Sequence, residues 1–124
     1  GNSLRLRTSG SGPAASYELL AQIGDSGEVS VAPQRYRALV HSGAWAHFAM
    51  TWSGGTAYVY VNGVKLPTTL SYSSIAWAGG RWRLGKCDGL GSLSGLLKKW
   101  RVCNVARSAA YIDEVYKRAV GRWP

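Results

Sequence analysis

The segment from Trp45 to Leu66 limits the possible folds more than any other part of the chain. Trp45 to Trp52 and Thr56 to Asn62 are rich in aromatic and β-branched residues, and they flank Ser53-Gly54-Gly55, a turn signal between two extended runs. Asn62-Gly63 can supply the positive φ angles of a tight turn, so Val64 to Leu66 is expected to return as a further strand, which Pro67 closes. A chain dominated by such a series folds by pairing neighbouring strands antiparallel.

The same pattern extends in both directions. Leu4 to Arg7 alternates Leu with Arg as a short strand does, and Ser9 to Ala15 is a Gly, Ser, Pro and Ala stretch expected to form a flexible loop. Tyr17 to Ile23 and Glu28 to Val31 flank Gly24-Asp25-Ser26-Gly27 as the arms of a hairpin. Beyond Pro33, Arg35 to Val40 is expected to resume as a strand, and Arg81 to Gly85 and Leu96 to Cys103 complete the set. One strand in about 8–12 residues, with Gly-rich connections, is the spacing of a sandwich or barrel and not of βαβ units. Near the end the period changes. Ser108 can cap a short helix in which Ile112, Val115, Tyr116 and Ala119 share a face, with Lys117 and Arg118 in its last turn and Gly121 after it. At 124 residues the chain has room for one domain, 1–124, with 1–16 as a peripheral strand and loop.

Fifteen Lys and Arg stand against six Asp and Glu, a formal charge of +9 that biases encounters toward anionic partners. The charge speaks to partners and not to fold, and it also serves solubility. Cys87 and Cys103 are the only cysteines. Two cysteines exclude a disulfide-dense miniprotein and a Cys-rich zinc site, while a single bridge and two small buried thiols both stay open. No run of about 18 apolar residues is present, so no membrane partner is expected.

Three segments, in order, carry a resemblance. Trp45-Ala46-His47-Phe48-Ala49-Met50-Thr51-Trp52-Ser53-Gly54-Gly55 opens the series, and Tyr58-Val59-Tyr60-Val61-Asn62-Gly63-Val64 follows. Trp82-Arg83-Leu84-Gly85, Leu93-Ser94-Gly95-Leu96-Leu97 and Trp100-Arg101-Val102-Cys103-Asn104 complete it. Together they resemble the concanavalin-like, laminin-G-type jelly roll over about Trp45 to Tyr116. The resemblance implies an all-β antiparallel β-sandwich with a short C-terminal helix, and it makes His47 a structural histidine. Three departures stand out. Lys98 and Lys99 replace residues that are often acidic, Arg107 stands where Leu usually precedes Ser108, and some strands that normally precede Tyr17 are expected to be lacking. The last departure leads to the expectation of a shortened sandwich, a piece of a longer protein, or a fold completed by another chain.

Polysaccharide-cleaving relatives of this fold set carboxylates at alternate strand positions, about 5–5.5 Å apart for a retaining mechanism. Glu18, Asp25, Glu28, Asp88, Asp113 and Glu114 contain no such pair. No catalytic residue, cofactor or metal is therefore expected: His41 and His47 lack clustered partners, and Asp25 and Asp88 lie in loops without a calcium motif. Trp45, Trp52, Trp82 and Trp100 fall in strands and are expected in the core, whereas Trp77, in a loop-like stretch, is the preferred exposed aromatic, and Trp123 lies near the terminus. Arg5 with Arg7, Arg35 with Arg37, Arg81 with Arg83, and Lys99 with Arg101 occupy alternate strand positions and so share a face locally. The bland account is that this alternation reports the solvent side of half-buried strands.

The candidate ligand-binding set is Arg35, Arg37, Trp77, Arg81, Arg83, Lys99 and Arg101. The expected function is a non-catalytic module recognising an anionic glycan or an acidic protein surface, located outside the cell, at its surface or on a virion. The alternative is an assembly component, as part of an oligomer or beside a partner chain, using exposed sheet edges and a basic face. Nucleic-acid binding draws on charge and aromatics but lacks a motif.

Overall fold

The computed structural model describes residues 3–9, 16–32, 45–75 and 99–120. Seven strands and one helix lie among them: β1 (Ser3–Ser9), β2 (Ser16–Gln22), β3 (Val29–Ala32), β4 (Phe48–Ser53), β5 (Thr56–Val61), β6 (Val64–Lys65), β7 (Leu70–Ser71) and α1 (Ala109–Val120). All pairings are antiparallel, and they form two sheets. In the first, β2 lies between β1 and β3. In the second, β5 has β4 along one side and, along the other, β6 against Tyr60 and Val61 and β7 against Thr56 and Ala57.

The alternation read from the sequence is what makes the core. Ala57, Val59 and Val61 of β5 are fully buried on one face, where they meet Leu19, Ala21 and Val31 from the first sheet and Ile23 just after β2, with Leu66 and Leu70 alongside. The two sheets thus share one core, which is the expected antiparallel sandwich. On β4, Phe48, Met50 and Trp52 pack against this core. The register sets Phe48 opposite Val61, Met50 opposite Val59 and Trp52 opposite Ala57. Each large side chain therefore has a smaller one across the ladder, which fills the layer evenly. Burying a side chain such as Leu19 or Val59 contributes about 1.5–3 kcal/mol.

Two tight turns hold the second sheet in register. Gly54 and Gly55 (φ 59° and 89°) join β4 to β5, and Asn62 and Gly63 (φ 49° and 78°) join β5 to β6. Positive φ at both central residues matches the right-handed twist of the arms, and Asn and Gly adopt it at the least steric cost.

The structure differs from expectation in several places. Strand β4 begins at Phe48, and Trp45, expected in the core, is 40% exposed. Strand β7 has no signal in the sequence. Residues 99–103 are not a strand: Lys99 adopts φ 54°, a left-handed conformation that breaks extended pairing. Trp100, also expected in the core, is accordingly 59% exposed. Ser9, expected to open the loop Ser9 to Ala15, ends β1; the rest of that loop and the strands over 35–40 and 81–85 lie outside the described residues, as do His41, Cys87, Asp88, Trp82 and Trp123.

Candidate anion-binding surface

Helix α1 gathers the groups of interest, and its first turn is fixed by the residue the sequence nominates. Ser108 Oγ accepts the Tyr111 backbone N–H at 3.2 Å, and the Ser108 carbonyl accepts that of Ile112 at 3.0 Å. An N-cap of this kind satisfies a backbone donor that the helix itself leaves unpaired. The expected inner face forms: Ile112 is buried, and Val115, Tyr116 and Ala119 are half-buried. Asp113 pairs with Lys117 at 2.8 Å, and Glu114 pairs with Arg118, both one helical turn apart. The Asp113 contact raises the proton affinity of Lys117 above its ordinary value.

The helix meets the second sheet at the Asn62-Gly63 turn. A methyl group at Gly63 would stand 2.7 Å from Asp113 Oδ1 and 3.0 Å from a ring carbon of Tyr116. Beside this turn, the His47 N–H donates to Asn62 Oδ1 at 2.9 Å, and the Asn62 N–H donates to the His47 carbonyl at 2.8 Å. His47 is half-buried, with its ring 6.2 Å from that of Tyr116. Its Nδ1 is buried without a partner among the described residues. Burial first, then the positive charge of Arg101, lowers the proton affinity of the imidazole, so the ring is held neutral.

Two guanidinium groups converge on Tyr111. Arg101 Nη1 donates to the phenolic oxygen at 3.0 Å, and Arg107 Cζ lies 4.8 Å from the ring centroid. The Cys103 side chain, a half-buried free thiol, raises the proton affinity of Arg107 above its ordinary value. Among the described residues no carboxylate pairs with either arginine. The acids on the helix, Asp113 and Glu114, pair within it, and Asp25, at the other end of the sheet, accepts the backbone N–H groups of Ser73 (2.7 Å) and Ser74 (3.2 Å). Those two hydrogen bonds lower the Asp25 pKa below its ordinary value.

Lys99, Trp100, Arg101, Val102, Val105 and Arg107 are all exposed, so the segment leading into α1 presents cations interleaved with apolar groups. Lys99 and Arg101 were expected on one strand face. The path through them is irregular, so strand alternation does not set a shared face. Arg35, Arg37, Trp77, Arg81 and Arg83 lie outside the described residues. Sequence reasoning missed Arg107 and Tyr111 as a pair, and their one-turn spacing across the Ser108 cap was the available signal. Among the described residues no group of three His, Cys, Asp or Glu side chains could hold a metal ion, and no helix is long and apolar enough to cross a membrane.

A laminin-G family model, described as the concanavalin A-like lectin/glucanases superfamily, matches residues 1–113. The chain belongs to this superfamily. Its fold is the superfamily's β-sandwich, closed here by a short C-terminal helix. Laminin-G-like members are mostly non-catalytic binding modules, although concanavalin-like folds also include glycosidases. A solved structure that is similar, at 21% identity and a TM-score of 0.45, is that of residues 221-444 of an S-layer domain-containing protein from Clostridium thermocellum. The match covers 92% of this chain and 64% of that one, so the chain spans less than two thirds of its neighbour's length. No curated protein matches the sequence significantly.

Proposed function

We propose that this chain is a non-catalytic binding module for an anionic glycan, working outside the cell or at its surface. One observation supports this reading above others. The acids nearest the helix are engaged internally, while Arg101 and Arg107, with no carboxylate partner among the described residues, flank an aromatic ring on an exposed segment that also carries Trp100. Guanidinium groups recognise planar oxyanions through paired N–H donors, and exposed indoles stack on sugar rings. Superfamily membership agrees with a binding role, and the six acids include no alternate-position pair of the kind a retaining glycosidase uses.

A second reading, assembly with an acidic protein neighbour, is favoured by Val102 and Val105. These side chains are exposed in the same segment, and a sugar makes little use of them. Light-scattering mass on the purified protein, with heparin and with a neutral polysaccharide at two salt concentrations, separates the two. Glycan binding predicts a monomer that gains mass with heparin, less so at high salt, and ignores the neutral polymer. A stable oligomer indifferent to both sugars would refute it in favour of assembly.

A further inference from the structure

We infer that Arg101, Tyr111 and Arg107 form a preorganised clamp for a single oxyanion, a sulfate ester or a carboxylate, with Tyr111 as the positioning residue. This rests on the anionic-ligand reading above and deepens it, because it assigns that binding to one three-residue site instead of to the net charge.

The argument begins with conformational entropy. A long exposed arginine side chain samples many rotamers, and holding it for a ligand costs about 0.5–1.5 kcal/mol. Here both side chains are tethered before any ligand arrives. The phenolic oxygen of Tyr111 accepts one N–H of Arg101 at 3.0 Å, and the face of the same ring carries Arg107 at 4.8 Å. Neither tether consumes a full positive charge, as a carboxylate would. A guanidinium has five N–H donors, so each arginine retains donors after these contacts.

Tyr111 is itself fixed. Its backbone N–H is bound to Ser108 Oγ, and the residue is half-buried in the first turn of α1. The irregular path from Lys99 to Arg107 and the helix that follows it therefore bring two like charges to one ring, ten and four residues apart in sequence. Two cations with no carboxylate partner among the described residues, gathered on one ring, repel each other, and an oxyanion between or beside them relieves that repulsion.

The test is calorimetric titration of the whole chain at fixed, moderate salt with three probes. A heparin-derived hexasaccharide carries sulfate esters and carboxylates, an oligogalacturonate carries carboxylates alone, and a dextran oligomer is neutral. Arg101→Gln and Arg107→Gln should each weaken binding of the charged probes about threefold to tenfold. Lys65→Gln, which removes one charge on β6 over the Tyr58 ring, should change it less than about twofold. The decisive variant is Tyr111→Phe, which keeps the net charge and the ring but loses the phenolic oxygen. It should weaken binding about threefold, with an unaltered thermal melt. The ratio between the hexasaccharide and the oligogalacturonate assigns the oxyanion as sulfate or carboxylate.

If Tyr111→Phe binds as wild type does, or Lys65→Gln loses as much as Arg101→Gln, the clamp is refuted and diffuse charge remains as the cause of binding. If the wild-type chain binds neither charged probe, the glycan reading and the clamp fall together.

Discussion

Gly24→Ala should destabilise the protein much more than Gly54→Ala, although both glycines adopt nearly the same backbone conformation. Their φ angles are 53° and 59°, so an alanine at either position pays about 1–2 kcal/mol for its left-handed backbone. Space separates the two. At Gly54 the new methyl group would meet nothing within 4 Å. At Gly24 it would stand 2.0 Å from the backbone oxygen of Ser74 and 3.1 Å from Cγ1 of Ile75. A backbone atom cannot swing aside as the end of a side chain can, so the segment from Ser73 to Ile75 must move by more than an ångström.

That segment is bound to the loop it faces. Asp25 N–H donates to the Ser74 carbonyl at 3.2 Å, and the Asp25 carboxylate accepts from Ser73 and Ser74 in return. Ile75 also packs against the core. Overpacking of this kind adds about 1–3 kcal/mol, which gives about 2–5 kcal/mol for Gly24→Ala against about 1–2 for Gly54→Ala. Equilibrium unfolding in urea reads the difference as a midpoint lower by about 1 M in Gly24→Ala than in Gly54→Ala. Equal midpoints with equal slopes would refute the reasoning, by showing that the Ser73–Ile75 segment yields without loss.

Two further predictions concern α1 and the histidine beneath it. Ser108→Ala removes the acceptor of the Tyr111 N–H and should lower stability by about 1 kcal/mol, read as a lower melting temperature, whereas Ser108→Asp should retain most of it. His47 is neutral in the fold because burial and Arg101 disfavour its charged form, and the unfolded chain protonates near 6.5. Its contribution is therefore complete above that pH and is lost as pH falls through the lower folded value. Urea midpoints from neutral pH down to about pH 5 should fall more steeply for wild type than for His47→Gln, and parallel slopes would contradict the assignment.

How far the sequence could be read depended on how local each signal was. The β4–β5–β6 series was legible because alternation and turn chemistry both act between near neighbours: Trp52 faces Ala57 only because Gly54 and Gly55 close a two-residue turn. The helix was legible for the same reason, through Ser108 and its apolar spacing. By contrast, β7 is two residues whose strand character comes from pairing with Thr56 and Ala57, and no periodicity exists over so short a span. Lys99 to Cys103 misled, because Lys, Trp, Arg, Val and Cys alternate as a half-buried strand does while the backbone turns left-handed at Lys99. The link between Arg101 and Tyr111 joins residues ten apart across an irregular segment and a helix start. Propensity does not encode such a contact.

Stability and binding are also separable on this scaffold, because their determinants lie at opposite ends of the second sheet. The Tyr72 N–H bonds to the Gly55 carbonyl, which places the Ser73–Ile75 segment and its contacts with Gly24 and Asp25 at the β4–β5 turn. Helix α1 and the Arg101–Tyr111–Arg107 group gather at the other end, around His47, Asn62 and Gly63. Six residues of extended strand put about 20 Å between them. Sites that far apart with no shared partner combine additively to within about 0.5 kcal/mol. A chain carrying both Gly24→Ala and Tyr111→Phe should therefore show the stability loss of the first and the affinity loss of the second, neither enlarged by the other. A clear departure from that sum would mean that the second sheet transmits strain along its length, and the oxyanion clamp would then be one part of a coupled whole.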